Sequence, residues 1–251
     1  MKLAGEPLGS LAVNLRQVLY SPMCWGLVIF TGAIHFAIKW MGGPNRPITS
    51  EVYLKFGLSR EGFLGGNIWS LASYGLLHGS WWHWAMNGLF ALLVGSRLEH
   101  VSGAAVVGRT VLLGVIGGGI SHLFLTPRNG GEVVLVGLSG GCLALLLLLT
   151  TLSPESKMMP LPVSGKSLGL GLIVASLLLT VANLALSLPE FSHWGKLLKD
   201  YGFGDILKMG HACHLGGALA GWFYGRWLLR PRVTLDRLRA ERYQQEADQK
   251  K

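Results

Sequence analysis

Three polar clusters interrupt an otherwise apolar sequence. His78, His83 and Asn87 share one stretch, Ser139 stands in Gly137-Leu138-Ser139-Gly140-Gly141, and His211 and His214 open Gly210-His211-Ala212-Cys213-His214-Leu215-Gly216-Gly217. Polar groups inside a lipid-spanning segment are expensive, which makes each a functional candidate. On a helix, His83 and Asn87 lie about 40° apart and one turn from each other, so both can point at one object. An imidazole N–H and an amide NH₂ are both donors, suited to an oxyanion; the competing reading is a hydrogen bond to a neighbouring helix.

Ser139 has glycine on both sides of its tripeptide, which leaves its hydroxyl uncrowded and lets another backbone come close. The segment also fits G-x-S-x-G, the nucleophile elbow of soluble hydrolases, but no strand of an α/β sheet precedes it. Taken alone, such a serine is more often a packing residue than a nucleophile. The last apolar stretch adds weight to the chemical reading. Positions 210, 214, 217, 221 and 225 recur at offsets of four, three, four and four, forming one helical stripe in which Gly217, Gly221 and Gly225 carry no side chain. A partner helix can approach such a stripe closely, and Gly137, Gly140 and Gly141 offer a matching smooth patch. Contact between the two surfaces would bring His214 to Ser139. A histidine that accepts the serine proton makes the hydroxyl nucleophilic, and with no aspartate nearby in sequence the arrangement would be a dyad.

The elements that must position these groups follow from composition. Half of the 251 residues are hydrophobic, 14% are charged, and mean hydropathy is +0.43. That is too apolar for an ordinary soluble domain, and a bilayer core takes roughly 20 apolar residues per helical span. Six apolar runs are predicted as helices, at about 22–41, 81–99, 103–126, 134–152, 166–188 and 207–229. The expected fold is therefore an all-α membrane protein with six transmembrane helices. Gly42 to Leu77 is too polar at its start to span, yet rich in Phe, Trp and Leu afterwards, and reads as a long, partly buried loop between the first two helices. A second such stretch, Pro189 to Asp205, suits a surface or re-entrant loop over the bundle.

Three regions result: an N-terminal cytoplasmic segment over 1–21, a membrane domain over 22–229 and a basic tail over 230–251. Residues 1–21 show no signal-peptide cleavage pattern, so the first run reads as a retained span. The tail holds seven Lys or Arg and four Asp or Glu directly after the last run, which places it in the cytoplasm. Six spans then return the N-terminus to the same side, and Ser139 faces the opposite one. The net charge of +9 comes from 22 basic residues scattered between apolar segments, which gives no continuous basic face and no nucleic-acid partner. The three cysteines, Cys24, Cys142 and Cys213, have no zinc-type spacing.

His78-x4-His83-x3-Asn87 followed by Gly95 and Glu99, Gly-Leu-Ser-Gly at 137–140, and His214-Leu-Gly-Gly-x3-Gly221 together resemble the rhomboid intramembrane serine proteases. The resemblance covers all six spans. It implies Ser139 as nucleophile, His214 as general base, and an oxyanion hole made by His83, Asn87 and the Ser139 backbone N–H. It further implies that the loop from Gly42 to Leu77 lies partly in the membrane, that the fifth helix and the loop after it gate substrate access, and that substrates are single-span membrane proteins. No cofactor or metal is implied. His78, about 140° round the helix from His83, is expected to be a structural hydrogen-bonder. Three departures accompany these matches. The family's Trp-Arg pair is Trp69-Ser70 here, so an anchor made by that arginine is absent; Leu143 replaces a tyrosine common four residues after the nucleophile; and Cys213 and His211 flank the base without an assigned role.

Other intramembrane chemistries are disfavoured on their own requirements. Gly202-Phe203-Gly204-Asp205 fits the G-x-G-D of aspartyl proteases, but no second aspartate stands in a span to share the proton. H-E-x-x-H is missing, which disfavours a zinc protease. No acidic residue is read as lying inside a span, which disfavours a transporter relay. The alternative that survives is a catalytically silent rhomboid-like protein that binds transmembrane helices, since fold alone does not separate the two. The expected location is a bacterial plasma membrane; substrate and oligomeric state are not encoded legibly.

Overall fold

The computed structural model describes residues 15–42, 47–126, 134–157, 163–185, 210–231 and 235–248, with a few positions between 193 and 201. The expected loop over 189–205, including the G-x-G-D segment, lies almost wholly outside them, as do residues 1–14 of the N-terminal segment. Among the described residues the chain is helical, with two isolated β-bridges, Leu58 to Leu135 and Lys157 to Ser164.

The long helices are α1 (Pro22–Trp40), α5 (Trp81–Phe90), α6 (Ser96–Ser102), α7 (Ala104–Leu125), α8 (Ser139–Leu152), α9 (Gly165–Ala185), α10 (His211–Leu228) and α11 (Leu235–Asp248); α2 (Pro47–Phe56), α3 (Arg60–Leu64) and α4 (Ser70–Ser73) fold the long first loop. Among the described residues three helices are long and apolar enough to cross a membrane: α1, α7 and the first eighteen residues of α9. A π-helical turn, Ala91–Gly95, joins α5 to α6, so the second apolar run is continuous but interrupted. The fourth run differs from expectation at its start. Residues 134–138 are not helical, because Leu135 exchanges both backbone hydrogen bonds with Leu58 (3.0 and 2.8 Å) and Gly137 sits at φ +122°. The helix therefore begins at Ser139.

Glycine sets how closely the inner helices pack. A Cβ at Gly217 would overlap the Gly140 carbonyl, one at Gly221 the Ala144 carbonyl, and one at Gly216 the Gly117 carbonyl. So α10 lies directly on the backbones of α8 and α7, and such contact is available only where small residues face each other. The α8 side chains Leu145, Leu147 and Leu148 are fully or almost fully buried, which makes α8 the centre of the bundle. By contrast Ile29 and Phe30 of α1, Phe124 near the end of α7, and Leu170 and Leu178 of α9 are exposed, an arrangement that suits hydrocarbon as solvent.

Glu99 corrects the reading of spans free of acids. It lies at the end of the second apolar run, is 8% exposed, and its carboxylate accepts from the backbone N–H groups of Met23 (3.0 Å) and Cys24 (3.1 Å). Those are orphan donors of the first turn of α1, where a negative charge also meets the positive end of the helix dipole. This pairing ties α1 to α6.

The first loop is tied down without the missing arginine. Arg60 donates to the Leu123 carbonyl at the end of α7, Trp69 Nε1 to Lys55 O (2.9 Å), Ser73 Oγ to Phe56 O (2.7 Å) and Tyr53 Oη to His78 O (2.6 Å). Ser70 itself is buried and donates to Asn67 O (2.6 Å).

Candidate active site

Ser139 occupies the first position of α8, two residues after Gly137 with its positive φ, and Leu138 stands between them as the N-cap. Ser139 Oγ lies 3.0 Å from His214 Nε2 on α10. That is hydrogen-bonding distance for a hydroxyl and an imidazole, the arrangement a general base needs. Among the described residues Ser139 is the one hydrogen-bonding partner of the His214 ring. Both side chains are half-buried. The glycine seam creates this approach: His214 stands one turn before Gly217, and Gly217 rests on Gly140, the residue after Ser139.

Facing this pair, α5 brings His83 and Asn87. The Ser80 hydroxyl caps α5 by accepting from the His83 N–H (3.1 Å), which sets the first turn that carries the imidazole. A Cβ at Gly137 would stand 2.6 Å from His83 Nε2 and 3.6 Å from Asn87 Nδ2. Both groups therefore lie against the turn that leads into Ser139. Asn87 is 8% exposed and its Nδ2 has no hydrogen-bond partner among the described residues. A buried amide N–H left unpaired costs about 1–3 kcal/mol, and this orphan donor lies 3.6 Å from the Cβ position of Gly137, two residues before Ser139.

The structure revises two assignments. Gly137 was expected in the α8–α10 packing surface, but it precedes the helix and faces His83; its φ of +122° and this contact are what require glycine. Gly141 turns toward Val111 of α7, and the α10 stripe meets Gly140 at Gly217, Ala144 at Gly221, and Thr151 and Leu148 at Gly225. His78, expected to be a structural hydrogen-bonder, is fully buried, and its ring nitrogens make no hydrogen bond among the described residues. Its ring packs edge-on to His83 (centroids 5.2 Å apart) and to His35 of α1 (6.3 Å). His35, fully buried, was not singled out from sequence because it stands alone in an apolar run. His211 is buried with its ring 6.0 Å from that of His214. No group of three or more His, Cys, Asp or Glu among the described residues could hold a metal.

A family model described as the Rhomboid domain matches residues 65–231, about two thirds of the chain. The chain belongs to the rhomboid family. No curated protein matches it. Membership in this family makes the chain an integral membrane protein of a group that acts on membrane-protein substrates within the bilayer, generally as intramembrane serine proteases with inactive relatives. The matched region contains every site residue named above except His35, which lies on α1 ahead of it.

Proposed function

We propose that this rhomboid-family chain is an intramembrane serine endopeptidase in which Ser139 attacks the scissile carbonyl and His214 takes its proton. The observation that carries this reading is the 3.0 Å contact between Ser139 Oγ and His214 Nε2 beside the unpaired Asn87 amide. As Oγ bonds to the carbonyl carbon, its proton passes to His214 Nε2 and negative charge develops on the carbonyl oxygen. Asn87 Nδ2, His83 and the Ser139 N–H stabilise that charge, and the last is free because the first N–H groups of a helix lack an intrahelical acceptor. His214 then returns the proton to the departing amine, and water hydrolyses the acyl-enzyme by the same sequence. No cofactor takes part.

The six-span architecture belongs to this proposal. With α1, α7 and α9, it takes the α5–α6 run, α8 and α10 as further spans, with a cytoplasmic segment over 1–21, the membrane domain over 22–229 and a cytoplasmic tail over 230–251. Ser139 then opens toward the opposite compartment, from which water reaches it, in what we take to be a bacterial plasma membrane. Substrates are single-span proteins with helix-weakening residues near one membrane end, because a regular helix keeps its carbonyls in its own hydrogen bonds. The helix α9, outermost of those beside α8 and α10 and rich in exposed Leu and Val, is the element past which they enter.

Labelling by a fluorophosphonate tests the reading. The purified wild type should label and Ser139→Ala should not; a wild type inert to the probe would favour a silent, helix-binding relative.

A further inference from the structure

Tyr74 is a fully buried residue to which the chemistry above gives no role. It lies in a short 3-10 turn, Tyr74–Leu76, of the first loop, and both of its ends reach the neighbourhood of the Ser139–His214 pair. At the backbone end, its carbonyl accepts from the Gly137 N–H (2.9 Å), which holds the turn leading into Ser139. At the side-chain end, its hydroxyl donates to the Val115 carbonyl of α7 (2.6 Å) and lies 3.4 Å from Cys213 Sγ. The phenol has one proton and Val115 takes it, so the thiol donates to the phenol oxygen. Burial raises the phenol pKa, so the hydroxyl stays a donor.

Cys213 directly precedes His214. Its sulfur is 3.0 Å from the Cβ position of Gly140, the residue after Ser139, and 2.8 Å from that of Gly118, while the Tyr74 hydroxyl is 3.4 and 3.0 Å from the same two positions. The phenol and thiol thus fill a space that α7, α8 and α10 share and that glycine at 118 and 140 keeps open. Tyr74 touches the residues flanking both members of the pair and neither member itself.

We propose that Tyr74 is a positioning residue for Ser139 and His214, acting through Gly137 on the serine and through Cys213 on the histidine. This rests on the protease reading. It explains a cysteine beside the base: the thiol is small enough for the glycine seam and bonds to the phenol.

The test compares purified full-length wild type, Tyr74→Phe, Cys213→Ala, Cys213→Ser and the double variant Tyr74→Phe/Cys213→Ala. Each is measured for kcat and KM on a transmembrane reporter, for the rate of fluorophosphonate labelling, and for melting temperature. Tyr74→Phe should lower kcat and labelling rate about tenfold with KM unchanged, because what is lost is geometry at the reacting atoms. Cys213→Ala should fall similarly, Cys213→Ser should keep most of the rate, and the double variant should be no worse than the poorer single one. Wild-type kcat and labelling in Tyr74→Phe would overturn the proposal, as would losses that multiply in the double variant. Should Tyr74→Phe fail to fold, Cys213→Ala decides: a lower kcat at wild-type KM supports the role and wild-type kcat overturns it. A wild type that neither labels nor cleaves would overturn the protease reading, and this role with it.

Discussion

Gly217→Ala adds one methyl group at the contact between α10 and α8, and its consequence can be worked out from geometry. The new Cβ would overlap the Gly140 carbonyl, and all three nearest atoms are Gly140 backbone, which has no rotamer to yield. Reaching an ordinary contact of about 3.5 Å requires the helices to part by about 1 Å. Such overpacking costs about 1–3 kcal/mol, a loss the bundle can survive. The site is less tolerant, because Ser139 and His214 sit on the two helices being separated, one residue and three residues from the contact. Opening a 3.0 Å hydrogen bond by that distance breaks it, and a displacement of about 1 Å at reacting groups can cost on the order of 10²-fold in rate. The assay is cleavage of a transmembrane reporter in detergent, with melting temperature measured in parallel. Gly26→Ala on α1 is the control, since nothing lies within 4 Å of a Cβ there, and it should leave cleavage at the wild-type rate without lowering the melting temperature. Wild-type cleavage by a folded Gly217→Ala would refute the claim that this seam sets the distance between the pair.

Other perturbations separate the remaining roles. Asn87→Ala removes one donor and leaves the Ser139 N–H and His83, so turnover should fall on the order of 10²–10³-fold with residual activity measurable; an unchanged rate would remove Asn87 from the oxyanion hole. Cleavage should decline on the acid side, because His214 accepts a proton only when neutral and an imidazole ordinarily titrates at about 6.5; a rate still rising toward about pH 5 would contradict a histidine base. Glu99→Gln keeps one acceptor but loses the charge on two α1 N–H groups, so a thermal melt should show a less stable protein; an unchanged melting temperature would show the cap to be dispensable.

Much of this site is legible in the sequence because polar residues in apolar runs have few bland explanations. Ser139, His83, Asn87 and His214 all stand out that way, and of the stripe at 210, 214, 217, 221 and 225, Gly217 and Gly221 lie on Gly140 and Ala144 of α8. What stays hidden depends on contacts between distant segments. Residues 134–138 are as apolar as a helix, and only pairing with Leu58, 77 positions earlier, pulls them out of one. Gly137 looks like packing glycine until its φ and its contact with His83 are seen. Glu99 reads as the polar end of a span, since nothing local shows that its acceptors serve the start of α1. Tyr74 is one aromatic residue among many in a loop rich in them, and its two hydrogen-bonded ends lie 41 and 63 residues away in the chain. The number of spans is also only partly legible, because α8 has fourteen residues and the α5–α6 run contains a π-helical turn, so neither meets the simple criterion of length and composition.

The central claim is that a serine and a histidine from two helices cut peptide bonds within the bilayer. It is tested most directly by incubating purified protein with a single-span reporter in proteoliposomes free of other proteases. The account predicts cleavage within or beside the reporter's membrane segment by wild type, none by Ser139→Ala and almost none by His214→Ala, with all three folded and still binding the reporter. An intact reporter with wild type, or equal cleavage by Ser139→Ala, would contradict it.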